Sequence, residues 1–369
     1  MATEEVLHMN GGVGETSSAN NSLLQRRVLL KVKPILKENI TKVYNNIDVS
    51  DCLKVADLGC SSGSNTFFTA YEIIAIIDAL SLRLKKKTPA FQLFLNDLPS
   101  NDFNTIFKSL LPDFYKKLHQ GHNFGHNCFI VGVPGSFYKR LFPANSIHFF
   151  HSSYSLHWLS QVPKGLIGRA LNKGNIYIEK TSPEAVWKAY VEQFENDFKL
   201  FLKHRSLELV KGGGMVLTFI GRSEDQESLT FPTSIIGMAL HDMVLENKVE
   251  EAKLDSYDTP HYGPSEKEVR KIIEEEGSFT LEKLEISKLG WDGGMNEEGD
   301  DTIIVHDKLM RAKFIANYTR AVNEPLLKSH FGDAVMDELF FRVSDKLVQL
   351  MEEKKELVFT NLVLSITKN

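Results

Sequence analysis

The segment Asp57-Leu58-Gly59-Cys60-Ser61-Ser62-Gly63-Ser64-Asn65 has the residue types to hold a small nucleoside against its backbone. Val55, Ala56 and Leu58 form the apolar end of a predicted strand, and glycine at 59 and 63 lets the turn approach a ligand where a Cβ would collide. A helix is predicted from about Asn65, with Phe67, Phe68, Tyr71, Ile74 and Ile77 spaced to bury one face. Strand, glycine turn and helix make a nucleotide-binding βα unit. The glycines do not follow G-x-G-x-x-G, so a pyrophosphate is disfavoured and a smaller nucleoside such as S-adenosylmethionine fits better. An ordinary β-turn of an α/β protein is the alternative. A second apolar strand, 91–95, runs into Asn96-Asp97-Leu98-Pro99. There Asp97 is placed to accept hydrogen bonds from ribose hydroxyls, or else is a helix cap or loop aspartate. Further on, the run from Ser152 to Gln161 gathers Tyr154, His157 and Trp158 into a candidate acceptor pocket.

The elements that must position these residues alternate between strand and helix. Apolar runs at 128–133, 147–150 and 215–220 read as buried strands, and 101–118 reads as an amphipathic helix. The long helix predicted over 183–210 carries Val186, Tyr190, Phe194, Phe198 and Phe201 at helical spacing, a core stripe. Such alternation predicts an α/β protein with a mainly parallel sheet covered by helices on both faces. After 225 the pattern changes to helices and charged loops, including the acidic, glycine-rich stretch 292–301; 357–366 is strand-like and returns to the sheet. We read 1–369 as a single domain in which 225–335 forms an inserted helical cap over the pocket.

Composition limits the functions available. The chain has 369 residues, 42% of them hydrophobic, enough for a substantial core. A formal charge of −5 gives no pull toward nucleic acid or an anionic membrane. The basic run 83–87 reads as the solvated end of a helix. Only Cys52, Cys60 and Cys128 are present, so a disulfide framework is not expected and a reducing compartment is. No apolar run approaches the roughly 20 residues a membrane span needs, nor is there a signal-peptide core, so a cytoplasmic protein is expected.

Several collinear stretches carry a family resemblance: His8-Met9-Asn10-Gly11-Gly12, Ala56 through Gly63, Leu95 through Asn104, Val133-Pro134-Gly135-Ser136-Phe137-Tyr138, His151 through Trp158, and Glu324-Pro325-Leu326-Leu327. Together they resemble the SABATH family, plant methyltransferases that use S-adenosylmethionine to methylate small carboxylic acids or, in some branches, xanthine nitrogens. The resemblance implies a Rossmann-like class I methyltransferase sheet and a homodimer. It places Ser18, Asp57, Cys60, Asn65 and Ser153 near the methionine portion of the cofactor, Asp97 and Leu98 at ribose and adenine, and Ser136 and Phe137 around the adenine. Two positions depart from it: Ser18 stands where tyrosine is usual, and Ser64 where proline is usual.

For the acceptor, the resemblance makes Gln25 and Trp158 the amide and indole donors to a substrate carboxylate, with Tyr154, His157, Phe219, Ile220, Tyr262, Thr319, Val322 and Phe359 enclosing the rest. Those donors make physical sense, because a carboxylate in a dry pocket accepts only and must find N–H partners. Tyr154 keeps an aromatic wall where jasmonate enzymes tend to have a small residue, which favours an aromatic acid of benzoate or salicylate type. His157, Thr319 and Thr233 make the wall more polar than in salicylate enzymes, and N-methylation of a xanthine is the rival reading. The resemblance also leaves open a cation such as Mg2+ at Asn172, Asp255, Tyr257 and Asp258, which the chemistry does not require. Outside the family, a nicotinamide oxidoreductase lacks its glycine fingerprint, and a noncatalytic binding protein would hold both ligands without turnover.

Overall fold

The strands anticipated from sequence form in the computed structural model, which describes residues 9–12, 14, 16–17, 20–47, 49, 51–121, 127–223, 231–295 and 307–369. They are β1 (Cys52–Leu58), β2 (Ala90–Asp97), β3 (Cys128–Pro134), β4 (Ile147–Ser153), β5 (Leu209–Gly221) and β7 (Val358–Lys368), with β6 (Phe279–Gly290) in addition. One seven-stranded sheet results, in the order β3-β2-β1-β4-β5-β7-β6. Neighbours from β3 to β5 pair in parallel, β7 is antiparallel to β5, and β6 is antiparallel to β7. The chain order reverses between β1 and β4, so the crevice at the carboxyl ends of these strands is where such a sheet takes its ligand.

Nine helices cover the sheet among the described residues: α1 (Leu23–Asn46), α2 (Phe68–Leu84), α3 (103–121, with a π turn at Ile106–Leu110), α4 (Glu184–Glu208), α5 (Thr233–Leu245), α6 (Glu251–Asp255), α7 (Glu266–Glu276), α8 (Lys308–Phe331) and α9 (Met336–Glu352). Their starts and stops follow local chemistry. A Ser265/Glu268 capping box opens α7 and Gly277 closes it in the left-handed conformation, which turns the chain directly into β6. The aromatic stripe of α4 is core, as its spacing predicts: Phe194, Phe198 and Phe201 are buried and stack in sequence at 5.6 and 6.1 Å. None of the described helices is long and apolar enough to cross a membrane.

The segment 225–335, read from sequence as a helical cap with charged loops, also contributes a strand. It supplies α5, α6, α7 and α8, but also β6, the sheet's outer strand beside β7. The sequence of β6 hides its period because charged residues, including Glu282, Lys283, Glu285 and Lys288, populate it; charge on an outer strand keeps it from pairing with another chain.

Candidate active site

Gly59 ends β1 with φ +78°, and a Cβ there would lie 2.0 Å from the Ser155 hydroxyl oxygen. Glycine is therefore required here for close approach as well as for conformation. Gly63 is not in the left-handed region; Ser61, with φ +53°, makes the second unusual turn instead. Asp97, at the carboxyl end of β2, holds that turn: one carboxylate oxygen accepts from the Ser61 amide at 2.7 Å and the other from the Leu98 amide at 2.8 Å. Burial pushes its carboxyl up to about 6, against the pull of those two amides. Asp97, Leu98, Ser136 and Phe137 line a cavity together with Gly59, Ser61 and Asn101.

A second cavity lies among the sheet, the start of α1 and helices that follow β5. Gln25, His157, Ile220, Thr319 and Phe359 line it, with Phe231, Thr233 and His261. Met9, Tyr154, Trp158 and Val322 line both cavities, so these four form the seam between them. The seam is held firmly. Tyr154 adopts φ +59°, a costly conformation for an aromatic residue, and is fixed by its amide on the Thr218 carbonyl at 2.8 Å and its hydroxyl on Asn361 Oδ1 at 2.5 Å. Trp158 is 9% exposed; the Tyr138 hydroxyl donates to its carbonyl at 2.7 Å, and its backbone pairs with His261.

Two imidazoles face this pocket. His157 Nδ1 accepts from the Ile220 amide at 3.4 Å, so its proton resides on Nε2. Burial, together with His261, holds His157 down at about 3, and burial holds His261 at about 3 as well. Both are neutral at physiological pH.

The family described as SAM dependent carboxyl methyltransferase matches residues 4–369. The chain belongs to this SABATH family of methyltransferases. A benzoic acid/salicylic acid carboxyl methyltransferase of Petunia hybrida is 45% identical over all of this chain and 99% of its own length. A probable jasmonic acid carboxyl methyltransferase of Theobroma cacao is 44% identical over the whole of both chains. A probable caffeine synthase of Coffea canephora is also 44% identical, over 100% of this chain and 98% of its own. Among solved structures, a loganic acid methyltransferase with S-adenosylhomocysteine superposes with a TM-score of 0.84 at 32% identity, covering 98% of each chain. The sheet is thus that of an S-adenosylmethionine-dependent methyltransferase.

Several residues expected in the methyltransferase site do not line either cavity. Phe219 packs on Phe198 of α4 at 6.0 Å, because side chains alternate along β5 and only Ile220 faces the pocket. Tyr262 is likewise structural: its hydroxyl meets Arg222 at 2.7 Å and Glu268 at 3.1 Å, and its ring packs on Phe194. Asp57 is paired with His151 Nδ1 at 2.7 Å. Cys60 is buried, its thiol turned to the Ser61 carbonyl. Asn65 donates to the Ser22 carbonyl at 2.7 Å, tying the glycine turn to the start of α1, and the Ser153 hydroxyl is buried without a partner. Ser18 falls outside the described residues.

Other lining residues were not named from sequence. Met9 is brought in because Asn10 bonds the Ala321 carbonyl at 2.9 Å and Glu324 at 2.7 Å on α8, which places Met9 at the seam. The collinear run around it was the available signal. His261, Phe231 and Asn323 come from distant loops and helices and had none.

The possible cation ligands do not present an oxygen cage. Asn172 turns its amide N–H toward Asp258 at 3.4 Å while its Oδ1 accepts from Ser182; Asp255 accepts from the Gly174 amide; and Tyr257 packs its ring on His330 and Phe331. Burial raises Asp258 to about 6, and no group of three metal-ligating side chains occurs among the described residues. No step of the chemistry is assigned to a metal.

Proposed function

We propose that this methyltransferase esterifies the carboxylate of a small aromatic acid of the benzoate or salicylate type. The observation that carries the reading is that Gln25 and Trp158 line the same cavity, where the Gln25 amide oxygen is buried without a protein partner. Turning that amide over brings its N–H to the same place, and a carboxylate, which only accepts hydrogen bonds, suits an amide N–H and an indole N–H there. The identity to the Petunia enzyme supports the same class of acceptor.

When bound, S-adenosylmethionine supplies an electrophilic methyl carbon on sulfur. Asp97 would bond its ribose, Phe137 and Leu98 would cover its base, and the turn from Gly59 to Ser61 would receive it in the first cavity. Across the seam, Gln25 and Trp158 orient the acid. Free carboxylic acids have a pKa near that of aspartic acid, about 3.9, so the nucleophile arrives ionised and no catalytic base is needed. The pocket supplies placement and dryness, and placement alone is worth on the order of 7–11 kcal/mol of barrier.

N-methylation of a xanthine is the second reading, favoured by His157 in the pocket and by the identity to the Coffea protein. It requires a group to manage an N–H proton, and an imidazole held near 3 is a poor base at neutral pH. A radiolabelled methyl-donor assay across benzoate, salicylate, anthranilate, nicotinate, jasmonate and xanthines decides between them. Gln25→Ala should depress turnover of acids far more than of purines; equal loss on both contradicts the carboxylate assignment. The reading extends to a homodimer, on family resemblance, and to the cytoplasm, where the free Cys52, Cys60 and Cys128 stay reduced.

A further inference from the structure

The ring of Trp158 is carried by a stretch of chain with little regular structure of its own. After β4, residues 154–161 form turns and a single bridge, from Trp158 to His261. This stretch is tied to the segment 260–262, where the Leu159 amide donates to the Pro260 carbonyl at 2.8 Å and the Tyr262 amide donates to the His157 carbonyl at 2.8 Å. Its other tie is to α4. There Asp197, 4% exposed, accepts from both donors of Ser160, the amide on Oδ2 at 2.8 Å and the hydroxyl on Oδ1 at 2.7 Å.

The sequence of α4 makes Asp197 a fixed post. Phe194 and Phe198 on either side of it are buried and stacked at 5.6 Å, which anchors this turn of the helix in the core. Gln193, one turn earlier on the same face, donates to Asp197 Oδ1 at 3.0 Å and accepts from the Gln161 amide at 3.2 Å. Asp197 lines neither cavity, whereas Trp158, Leu159 and Ser160 line the first and Trp158 also lines the second. Any effect of Asp197 on methyl transfer therefore passes through the loop that it holds. Tyr138 steadies the same loop by donating to the Trp158 carbonyl at 2.7 Å; burial, and after it the charge of Asp197, push that hydroxyl up, so it stays the donor.

Group transfer is sensitive to such a hold, because a misplacement of about 1 Å at the reacting centre can cost on the order of 100-fold in rate. We propose that Asp197 is a positioning residue for methyl transfer: by fixing Ser160 it sets the Trp158 ring on the seam between the two cavities. The proposal goes beyond the choice of acceptor. It concerns the seam, and so applies to an acid or a xanthine alike.

The test uses whichever acceptor the native protein turns over fastest, with kcat/KM expressed per S-adenosylhomocysteine-binding site counted by calorimetry, so that a loss of folded protein does not enter. Asp197→Asn keeps the shape of the side chain but sets an N–H against one of the two Ser160 donors. It should lower kcat/KM tenfold or more, while the Kd of S-adenosylhomocysteine changes less than threefold. A double-mutant cycle identifies the route. In the Trp158→Phe protein the same substitution should cost threefold or less, a difference that a merely structural role would not produce. A kcat/KM within twofold of native, or an equal loss in the native and Trp158→Phe proteins, overturns the proposal. Should Asp197→Asn fail to fold, Ser160→Ala, which removes the hydroxyl tie and keeps the amide tie, decides: a loss of threefold or more that falls below twofold in Trp158→Phe supports the proposal, and equal losses or none overturn it.

Discussion

Under the carboxylate reading Trp158 would act in two separable ways, through its indole N–H and through a flat face on the seam between the cavities. Trp158→Phe removes the donor and keeps an aromatic surface, and the Tyr138 bond to the residue's carbonyl is untouched. A hydrogen bond to a charged group is worth roughly 1.5–3 kcal/mol. Hence kcat/KM for an aromatic acid should drop about 10- to 100-fold while the melting temperature stays within a few degrees; an unchanged kcat/KM would remove the indole from the carboxylate site. Asp97 gives a pH dependence of definite sign. Its carboxyl, raised to about 6 by burial, is ionised above that pH and protonated below it, and only the ionised form accepts fully from ribose hydroxyls. Affinity for S-adenosylhomocysteine is therefore full near pH 7.5 and lost as pH falls through 6, about tenfold by pH 5. Calorimetry at the two pH values checks this, and Asp97→Asn should abolish the difference. Asp97 and Trp158 were legible in sequence because one ends an apolar strand and the other sits in a dense aromatic run. His261 was not, because its place in the pocket wall comes from Thr233 and Trp158, which only folding brings beside it.

The wall containing Ser136 and Phe137 belongs to a loop with little secondary structure of its own, and α4 holds it in place. Arg205 and Glu208 are fully buried and paired at 2.8 Å. The guanidinium also donates to the carbonyls of Phe137 at 2.7 Å and Lys139 at 2.9 Å, while Glu208 accepts from the amides of Leu141 and Phe142. Arg205→Met leaves the buried Glu208 with the Arg140 guanidinium, 3.7 Å away, as its remaining counter-charge, and breaking a buried pair by removing one partner costs up to about 3–5 kcal/mol. Chemical denaturation should register that loss, and affinity for S-adenosylhomocysteine should fall with it; a stable variant of undiminished affinity would mean that the loop needs no such clamp. The sequence announced α4 through its phenylalanine stripe but not this clamp, since Arg205 and Glu208 hold backbone groups of a loop distant in the chain. The opposite failure occurred at β6. There side-chain charge masked a strand that its hydrogen bonds to β7 establish, and a segment read as helices and charged loops proved to complete the sheet. Phe219 and Tyr262 lie off both cavities for a related reason, in that apolar character cannot say which face of a strand or loop it serves.

At the scale of the molecule the two cavities draw on different parts of the chain. The first is built at the carboxyl ends of β1, β2 and β4, whereas the second depends on α1, the start of α5, α8 and β7. Among the described residues they share Met9, Tyr154, Trp158 and Val322. Tyr154 is anchored to Asn361 on β7, which donates in turn to the Ser287 carbonyl of β6, so the antiparallel end of the sheet braces the wall that the parallel half helps to form. A ligand that orders this wall from one side prepares it for the other, and the second ligand then loses less conformational freedom on binding. S-adenosylhomocysteine should consequently tighten the binding of an aromatic acid, by about fivefold or more, and the acid should tighten S-adenosylhomocysteine by the same factor, as linkage requires. Titration calorimetry of each ligand with and without the other measures both factors. Asn361→Ala should weaken the coupling more than it weakens either affinity alone, because it releases the Tyr154 hydroxyl without touching a ligand. Independent binding of the two ligands in the native protein would show that the shared residues separate the cavities without connecting them.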